Sequence, residues 1–323
     1  MTKIRIPKGR ERVKGFTLVE LMVATAISLV LVLAATAMYL STRESQRTLD
    51  QSSAANEAGG FALRTIGRDL MNAGFYPAVR TESDTQANVL SGYSNITGKA
   101  AYDFGVFGCD GLAFDPATSV CGAATAGGSD SLVIGYFTDD SFGTSVGQRA
   151  DCTGTDVAAA GINSTRVGSG GAALPPAQPL FIANHYRLVP TTVTIDGRQV
   201  TTQSLACSGN GAGTAYQPLL AGIDDLQLTY AVYSDATRTP QRFYTASEVN
   251  GLADVAIDGI TLKPWARVIA VRVCVIARTY ESAAAIAAGN YEDCNGVQQT
   301  GDKSLRKTYV QVFGIRNRES STY

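Results

Sequence analysis

The sequence has few of the side chains from which most catalytic and metal sites are built. Its 323 residues include one histidine and one tryptophan, and only 17% of them are charged. The histidine, His185, limits Ser-His-Asp and Cys-His arrangements, and the chain has no C-x-x-C pair for a zinc site. Asp139-Asp140 and Asp224-Asp225 fit no calcium-loop pattern and are predicted as turns and strand edges. We therefore expect no enzymatic activity, no catalytic residue, no cofactor and no metal site.

Net charge is also low, but it is unevenly distributed along the chain. The formal net charge is −1, although the first fifteen residues hold a single acidic side chain, Glu11, and several basic ones. The basic residues of this segment are Lys3, Arg5, Lys8, Arg10, Arg12 and Lys14. The rest of the chain is therefore acidic and has no basic stripe, so we predict no direct binding of nucleic acid.

A long apolar segment follows these basic residues. Residues 16–40 contain one charged side chain, Glu20, and a helix of that length extends roughly 37 Å, enough to cross a membrane. Only Arg43 and Arg47 follow closely, so the positive-inside rule predicts a cytoplasmic amino terminus. Glu20 needs an explanation, because an acidic side chain in a membrane span costs on the order of 3 kcal/mol.

The junction around residue 15 resembles the amino-terminal signal of type IV pilins and of type II secretion pseudopilins. The matching features are a basic leader, a glycine, a hydrophobic residue and a glutamate four residues later, in the run Lys14-Gly15-Phe16-Thr17-Leu18-Val19-Glu20-Leu21. The resemblance implies that a prepilin peptidase cuts after Gly15 and methylates the new amino group of Phe16. Glu20 of one subunit would then neutralise Phe16 of its neighbour in a filament.

Two other interpretations of this segment remain open. One is an ordinary secretory signal cleaved at Ala35-Thr36-Ala37, and the other is an uncleaved anchor. Neither explains Glu20.

The pilin resemblance implies an α+β fold in which a long amino-terminal helix packs on a β-rich, disulfide-braced globular head, giving a lollipop shape. We expect a leader at 1–15, a transmembrane helix at 16–40, an extension of that helix at 41–75 and a head at 76–323. Gly59-Gly60 is predicted as a weak point of the helix, and Gly74 as its end.

Two further regions resemble pilus assembly proteins of PilW type. They are the helical stretch from Phe61 to Phe75, and the strand-like runs Leu219–Tyr230 and Arg267–Val273.

Short runs of alternating apolar residues predict the strands of the head. These runs are Ser131–Phe137, Pro179–Val189, Thr191–Ile195, Val200–Leu205, Ile223–Tyr233, Arg267–Arg278 and Lys307–Ile315. Asp196-Gly197 predicts a hairpin turn. The small-residue stretches Thr118–Ser129 and Thr153–Ala173 are predicted as surface loops, and Ser282–Gly289 as a short helix.

All six cysteines lie in the predicted head, where an oxidising compartment would preserve disulfides. Six cysteines allow 15 connectivities, and we favour sequential pairing: Cys109–Cys121, Cys152–Cys207 and Cys274–Cys294.

These features predict a non-enzymatic minor pilin that primes pilus assembly, sits at or near the fibre tip, and supports twitching motility and adhesion. Its expected partners are the prepilin peptidase, other minor pilins, the major pilin and a tip adhesin. Its expected location is the inner membrane, crossed once, with the head in the periplasm before assembly and outside the cell after it. The alternatives are a minor pseudopilin of a type II secretion system and a membrane-anchored surface receptor or hydrolase.

Overall fold

The structure is a computed structural model. It describes residues 15–75, 105–125, 128–137, 150–155, 157, 164–167, 173–177, 181–195, 197–211, 215–235, 237, 239–257, 260–279, 289–302 and 304–319. The chain divides into two compact units, Met1–Asp50 and Gln51–Tyr323, and the second is called the head unit below.

Helix α1 spans Leu18–Asn72 and contributes to both units. By length and composition it is able to cross a membrane, and it is the one such helix in the described part of the chain. Its carboxyl end is closed by Gly74, which has a φ of 71°, a left-handed conformation that glycine adopts without strain. The Asn317 side chain also donates to the Ala73 carbonyl, at 3.1 Å. The predicted helix end at Gly74 is therefore confirmed.

Two antiparallel sheets form the framework of the head unit, with strand orders β1-β4-β7-β8-β9 and β11-β10-β14-β17. The first contains Val106–Cys109 (β1), Ser131–Phe137 (β4), Phe181–Ile195 (β7), Arg198–Gly209 (β8) and Gln217–Ala221 (β9). The second contains Ile223–Tyr233 (β10), Pro240–Tyr244 (β11), Val268–Arg278 (β14) and Arg306–Gly314 (β17).

Smaller elements complete the head unit. Four paired hairpins use Leu112–Asp115 (β2) with Val120–Ala124 (β3), Ser164–Val167 (β5) with Ala173–Ala177 (β6), Val255–Ile257 (β12) with Ile260–Leu262 (β13), and Asn290–Glu292 (β15) with Gln298–Thr300 (β16). The short helices are Ala246–Asn250 (α2), the 3-10 turn Pro264–Arg267 and Arg316–Glu319 (α3). A long amino-terminal helix with a β-rich, disulfide-containing head is the α+β class that the sequence predicts.

The carboxyl half of α1 is part of the core of the head unit. Ala62, Ile66 and Leu70 are fully buried because they recur on one helix face at intervals of four. They join one continuous cluster with residues of both sheets, including Leu188 of β7 and Val273 of β14. This half of the helix is therefore stabilised by tertiary packing in addition to its own hydrogen bonds.

Gly59 and Gly67 allow two aromatic rings of β17 to lie against this helix. A Cβ at Gly59 would come within 2.3 Å of the Tyr309 ring, and one at Gly67 within 2.2 Å of the Phe313 ring. The prediction that Gly59-Gly60 weakens the helix is not reflected in its course, because α1 continues through both residues. Gly59 is present because the ring needs the space.

The adjacent glycines Gly59 and Gly60 make a matched pair for mutation. Gly59→Ala should lower the free energy of unfolding by about 1–3 kcal/mol through overpacking against Tyr309. Gly60→Ala should raise it by up to about 1 kcal/mol, because the nearest atom to a new Cβ is the movable end of Arg64 at 3.5 Å. Urea unfolding of the two variants checks this, and an equal effect of both would contradict the packing explanation.

The strands differ from prediction at several places, of which the following have a clear physical reason or overturn a predicted loop. β7 continues through Pro190, because β4 pairs only with Phe181–Tyr186 and leaves that edge free beyond it. The predicted loop Thr118–Ser129 contains β3, which pairs with β2. The predicted loop Thr153–Ala173 contains β5 and the first residue of β6. The predicted helix Ser282–Gly289 lies outside the described residues, apart from Gly289.

Three disulfide bonds join Cys109 to Cys121, Cys152 to Cys207 and Cys274 to Cys294. The first ties β1 to β3. The second attaches the segment at 150–155 to β8, and the third attaches the β15–β16 hairpin to β14. All three therefore hold peripheral segments to the two main sheets.

Candidate assembly site

Thr17 and Glu20 form a capping box at the start of α1. The Thr17 backbone N–H and hydroxyl both donate to Oε2 of Glu20, at 3.0 Å and 3.1 Å, and the Glu20 backbone N–H donates to the Thr17 hydroxyl at 3.2 Å. This reciprocal pairing satisfies amino-terminal N–H groups of the helix. Sequence analysis missed it, although Thr17-Leu18-Val19-Glu20 has the T-x-x-E spacing that predicts such a cap.

The residues around the predicted cleavage junction make few contacts with the rest of their own unit. Phe16 is 87% exposed, and a Cβ at Gly15 would have no atom within 4 Å. Glu20 is exposed as well. A substitution at Gly15 therefore strains nothing in the part of the chain that the structure describes.

The first half of α1 is apolar around its whole circumference. Leu21, Val30 and Leu33 are each at least 60% exposed, which is typical of a helix surrounded by lipid or by other helices. The hydroxyls of Ser28 and Thr36 donate to backbone carbonyls one turn earlier, at 2.8 Å and 2.7 Å. Their polarity is thus satisfied within the helix, as a membrane interior requires.

A buried carboxylate connects the second half of α1 to the five-stranded sheet. Asp69 is 4% exposed and accepts hydrogen bonds from Asn184 Nδ2 at 2.6 Å and from the Tyr186 hydroxyl at 2.5 Å. Burial raises the pKa of Asp69, and these two bonds oppose the increase. Sequence analysis did not identify this residue, although an acidic side chain inside the buried stripe from Ile66 to Leu70 is a signal for a polar partner.

The four-stranded sheet holds the same half of α1 at a second point. Lys307 Nζ donates to the Ser52 hydroxyl at 2.8 Å and to Asn56 Oδ1 at 3.1 Å. The Tyr309 hydroxyl also donates to Asn56 Oδ1, at 2.6 Å. Side chains of β7 and β17 therefore fix the helix to both sheets of the head unit.

The described residues that were weighed as catalytic candidates are held by contacts within the head unit. Asp224 pairs with Arg306 at 2.7 Å and with Arg278 at 3.7 Å. His185 is buried in β7 with its ring stacked on Phe114. Asp139-Asp140 lies outside the described residues. In the described part of the chain, no group of three or more His, Cys, Asp or Glu side chains is arranged to hold a metal ion.

Asp130 predicts a pH dependence of stability. Burial raises its pKa to about 7, against the opposing hydrogen bonds from the Gly111 and Leu228 amides. The pKa of an aspartate in the unfolded chain is about 4. Between that pH and about pH 7 the native state binds more protons than the unfolded state, so the free energy of unfolding should fall as pH rises and level off above pH 7. The fall should be on the order of a few kcal/mol.

Urea unfolding at pH 5 and pH 8 should show a smaller difference for Asp130→Asn than for wild type, whereas the exposed control Asp235→Asn should behave like wild type. Equal pH dependence in all three proteins would contradict this assignment.

Two family models match this sequence. Residues 191–317 match Type IV Pilus-assembly protein W, and residues 10–36 match the prokaryotic N-terminal methylation motif. The two matches support a type IV pilus minor pilin of PilW type. The PilW match covers β8 to β17, and the methylation motif covers Gly15, Phe16 and Glu20. Together the matches cover just under half of the chain.

No match was found among curated proteins. A type IV-like pilin from Thermus thermophilus aligns with 84% of this chain and 98% of its own length, at 8% identity and a TM-score of 0.33. The apolar helix and the methylation motif indicate anchoring in a membrane, and proteins of the pilin family associate with other pilus components. Proteins of the pilin family are typically non-enzymatic.

Proposed function

We propose that this chain is a minor pilin that is processed between Gly15 and Phe16, methylated on the Phe16 amine, and built into a type IV pilus. The leader at 1–15 stays in the cytoplasm and is removed. Residues 16–40 cross the inner membrane, residues 41–75 extend the helix, and the head at 76–323 lies in the periplasm until assembly. The protein acts by assembly and carries out no chemistry.

The observation that carries this proposal is Glu20, the single charged residue of the apolar segment. In the isolated chain its carboxylate is held by Thr17 through Oε2 alone, at an exposed position. Cleavage after Gly15 would create an ammonium group only four residues away along the chain. In a filament, Glu20 of one subunit neutralises Phe16 of the next, which removes two uncompensated charges from an apolar interior.

The change from a contact within the chain, to Thr17, to a charge pair between chains also sets the position of the subunits. A carboxylate paired within its own chain gives no register between neighbours, whereas a pair between chains is satisfied at one axial offset only. The partners in such packing are other minor pilins and the major pilin. We place the subunit at or near the fibre tip, in contact with a tip adhesin, where it supports twitching motility and adhesion.

Gly15→Ala tests the processing step. Because nothing lies within 4 Å of a Cβ at this position, folding should be unaffected, while the peptidase should fail to cut the altered junction. On a denaturing gel of membrane fractions the variant should keep the leader and run as a larger species than wild type. Gly60→Ala, at a glycine outside the leader where a Cβ would meet only the movable end of Arg64 at 3.5 Å, is the control and should be processed normally. Mobility of Gly15→Ala equal to that of mature wild type would count against processing at this junction.

A deletion strain tests the assembly role and distinguishes it from type II secretion. The account predicts loss of surface pili and of twitching motility with unchanged secretion of exoproteins. Normal piliation with defective secretion would identify the protein as a pseudopilin instead. Normal piliation and normal secretion would favour an anchored receptor or hydrolase.

A further inference from the structure

A cavity of about 270 Å³ lies on the face of the four-stranded sheet that points away from the core. Thr229 of β10 and Arg272 of β14 are directly opposite each other in the strand register. Their neighbours Leu228 and Val271 are buried in the core, so alternation along the strands directs Thr229 and Arg272 to the other face. Both residues line the cavity, together with Asp110, Asp130, Gln227 and Asn295.

Arg272 and Thr229 have polar groups that the described part of the chain leaves without partners. Arg272 is half-buried, and no described residue forms a hydrogen bond or ion pair with its guanidinium. By contrast, Arg278 at the end of the same strand and Arg306 of β17 both pair with Asp224. The Thr229 hydroxyl is buried and also has no partner. Buried polar groups are nearly always hydrogen-bonded in folded proteins, and the Thr229 hydroxyl is an exception. With the unpaired, solvent-reached guanidinium of Arg272 beside it, it marks a place where an acceptor binds.

Guanidinium and hydroxyl donors side by side suit a carboxylate or a phosphate. The acidic residues on the opposite wall of the cavity favour the carboxylate. Asp110 accepts from the Ala246 and Ser247 amides at 2.7 Å and 2.6 Å, and Asp130 from the Gly111 and Leu228 amides at 2.8 Å and 2.7 Å. Two acidic side chains on this wall disfavour a doubly charged phosphate more than a singly charged carboxylate, even though the raised pKa of Asp130, about 7, leaves that group partly protonated. Each of their oxygens still has a lone pair that can accept a hydrogen bond from a ligand hydroxyl.

We infer that this cavity binds a hydroxylated carboxylate of the sugar-acid class. The ligand carboxylate pairs with Arg272 and accepts from Thr229, and its hydroxyl groups donate to Asp110 and Asp130. The cavity is also held in shape, because Cys274 and Cys294 line it and are joined by a disulfide. This bond fixes the β15–β16 hairpin beside the ligand and reduces the ordering cost of binding. The inference does not depend on assembly into a pilus.

Isothermal titration calorimetry of the full chain in detergent micelles tests the site, with D-glucuronate as the probe and D-glucose as the neutral analogue. Glucuronate should bind measurably and at least about tenfold more tightly than glucose, because glucose has no carboxylate for the guanidinium. Absence of glucuronate binding, or equal binding of the two sugars, would overturn the inference.

Three variants locate the binding. Arg272→Gln should weaken glucuronate binding at least about tenfold, Thr229→Val should weaken it severalfold, and Arg242→Gln should leave it unchanged. Arg242 is a suitable control because it is an exposed arginine paired with Glu248 on the surface. Arg272→Lys provides a second test if Arg272→Gln is poorly folded: it retains the charge but loses the forked donor geometry, so affinity should still fall. Wild-type affinity in a folded Arg272 variant would show that the carboxylate binds elsewhere and would overturn the assignment.

Discussion

Glu20→Ala is expected to insert normally into the membrane and to be lost from filaments. Insertion should be unchanged or slightly better, because a carboxylate in a membrane span costs on the order of 3 kcal/mol. Incorporation should fail because the Phe16 ammonium of the neighbouring subunit would remain unpaired in an apolar surrounding, a situation that costs about 3–5 kcal/mol. The measurement is the ratio of this protein in sheared filaments to that in membranes, by immunoblot.

Two other variants separate the proposed intersubunit role of Glu20 from its role in capping the helix. Thr17→Val removes the hydroxyl contacts of the capping box and should cost about 1 kcal/mol of local helix stability, while leaving incorporation largely intact. Glu44→Ala removes an exposed acidic residue of the same helix beyond the apolar segment and should be incorporated like wild type. If Thr17→Val were lost from filaments as completely as Glu20→Ala, capping of the helix would explain both defects and the charge-pairing account would fail.

Removing the Cys152–Cys207 disulfide, as the double serine variant, should be the most destabilising cysteine change in the head unit. The bond closes a separation of 55 residues, for which chain entropy predicts a contribution of about 4 kcal/mol. Cys207 also lies in the main hydrophobic cluster, so a serine there adds an unfavourable polar group to the core. Urea unfolding monitored by tryptophan fluorescence reports the loss, because Trp265 belongs to the same cluster.

The Cys109–Cys121 bond is the matched comparison. It closes a separation of only 12 residues, for which the same model gives about 3 kcal/mol. Its double serine variant should therefore be less destabilised. The reverse order of the two variants would mean that local packing around Cys109, and not loop closure, dominates the disulfide contribution.

Elements set by local sequence pattern were predictable. The alternating run Ile223–Tyr233 is β10 without a change of boundary. Arg267–Arg278 differs from β14 by one residue, because Arg267 lies in the preceding 3-10 turn. Gly197 has the positive φ, 78°, that the predicted hairpin turn between β7 and β8 requires. Such features depend on side-chain alternation and on turn chemistry, which are encoded within a few residues.

Features that depend on distant residues were not predictable. Asp69 finds Asn184 and Tyr186 more than one hundred positions away, and nothing near it in the sequence indicates those partners. The small residues of Thr118–Ser129 suggested a loop, but pairing with β2 and the Cys121 disulfide override that local preference. Gly59 was interpreted as a helix defect because its local cost is visible in sequence, whereas the Tyr309 ring that requires it is 250 positions away.

The candidate assembly site and the cavity show the same contrast between local and long-range features. The roles of Gly15, Phe16 and Glu20 were predicted from a short motif and one costly charge, and they stay predictions. The Thr17 cap was also within reach of the sequence, through its T-x-x-E spacing. Thr229 and Arg272, which line the cavity, are more than forty positions apart in the sequence and were brought together only by the register of β10 and β14. No pattern within either strand would have indicated the pair.

The mass of the amino-terminal peptide from sheared pili tests the central claim most directly. Filaments purified from cells that express the chain should be digested and analysed by mass spectrometry. The account predicts a first peptide that begins at Phe16 and carries one methyl group on its amine. A first peptide that begins at Met1 or follows Ala37, or absence of the protein from the filament fraction, would contradict it.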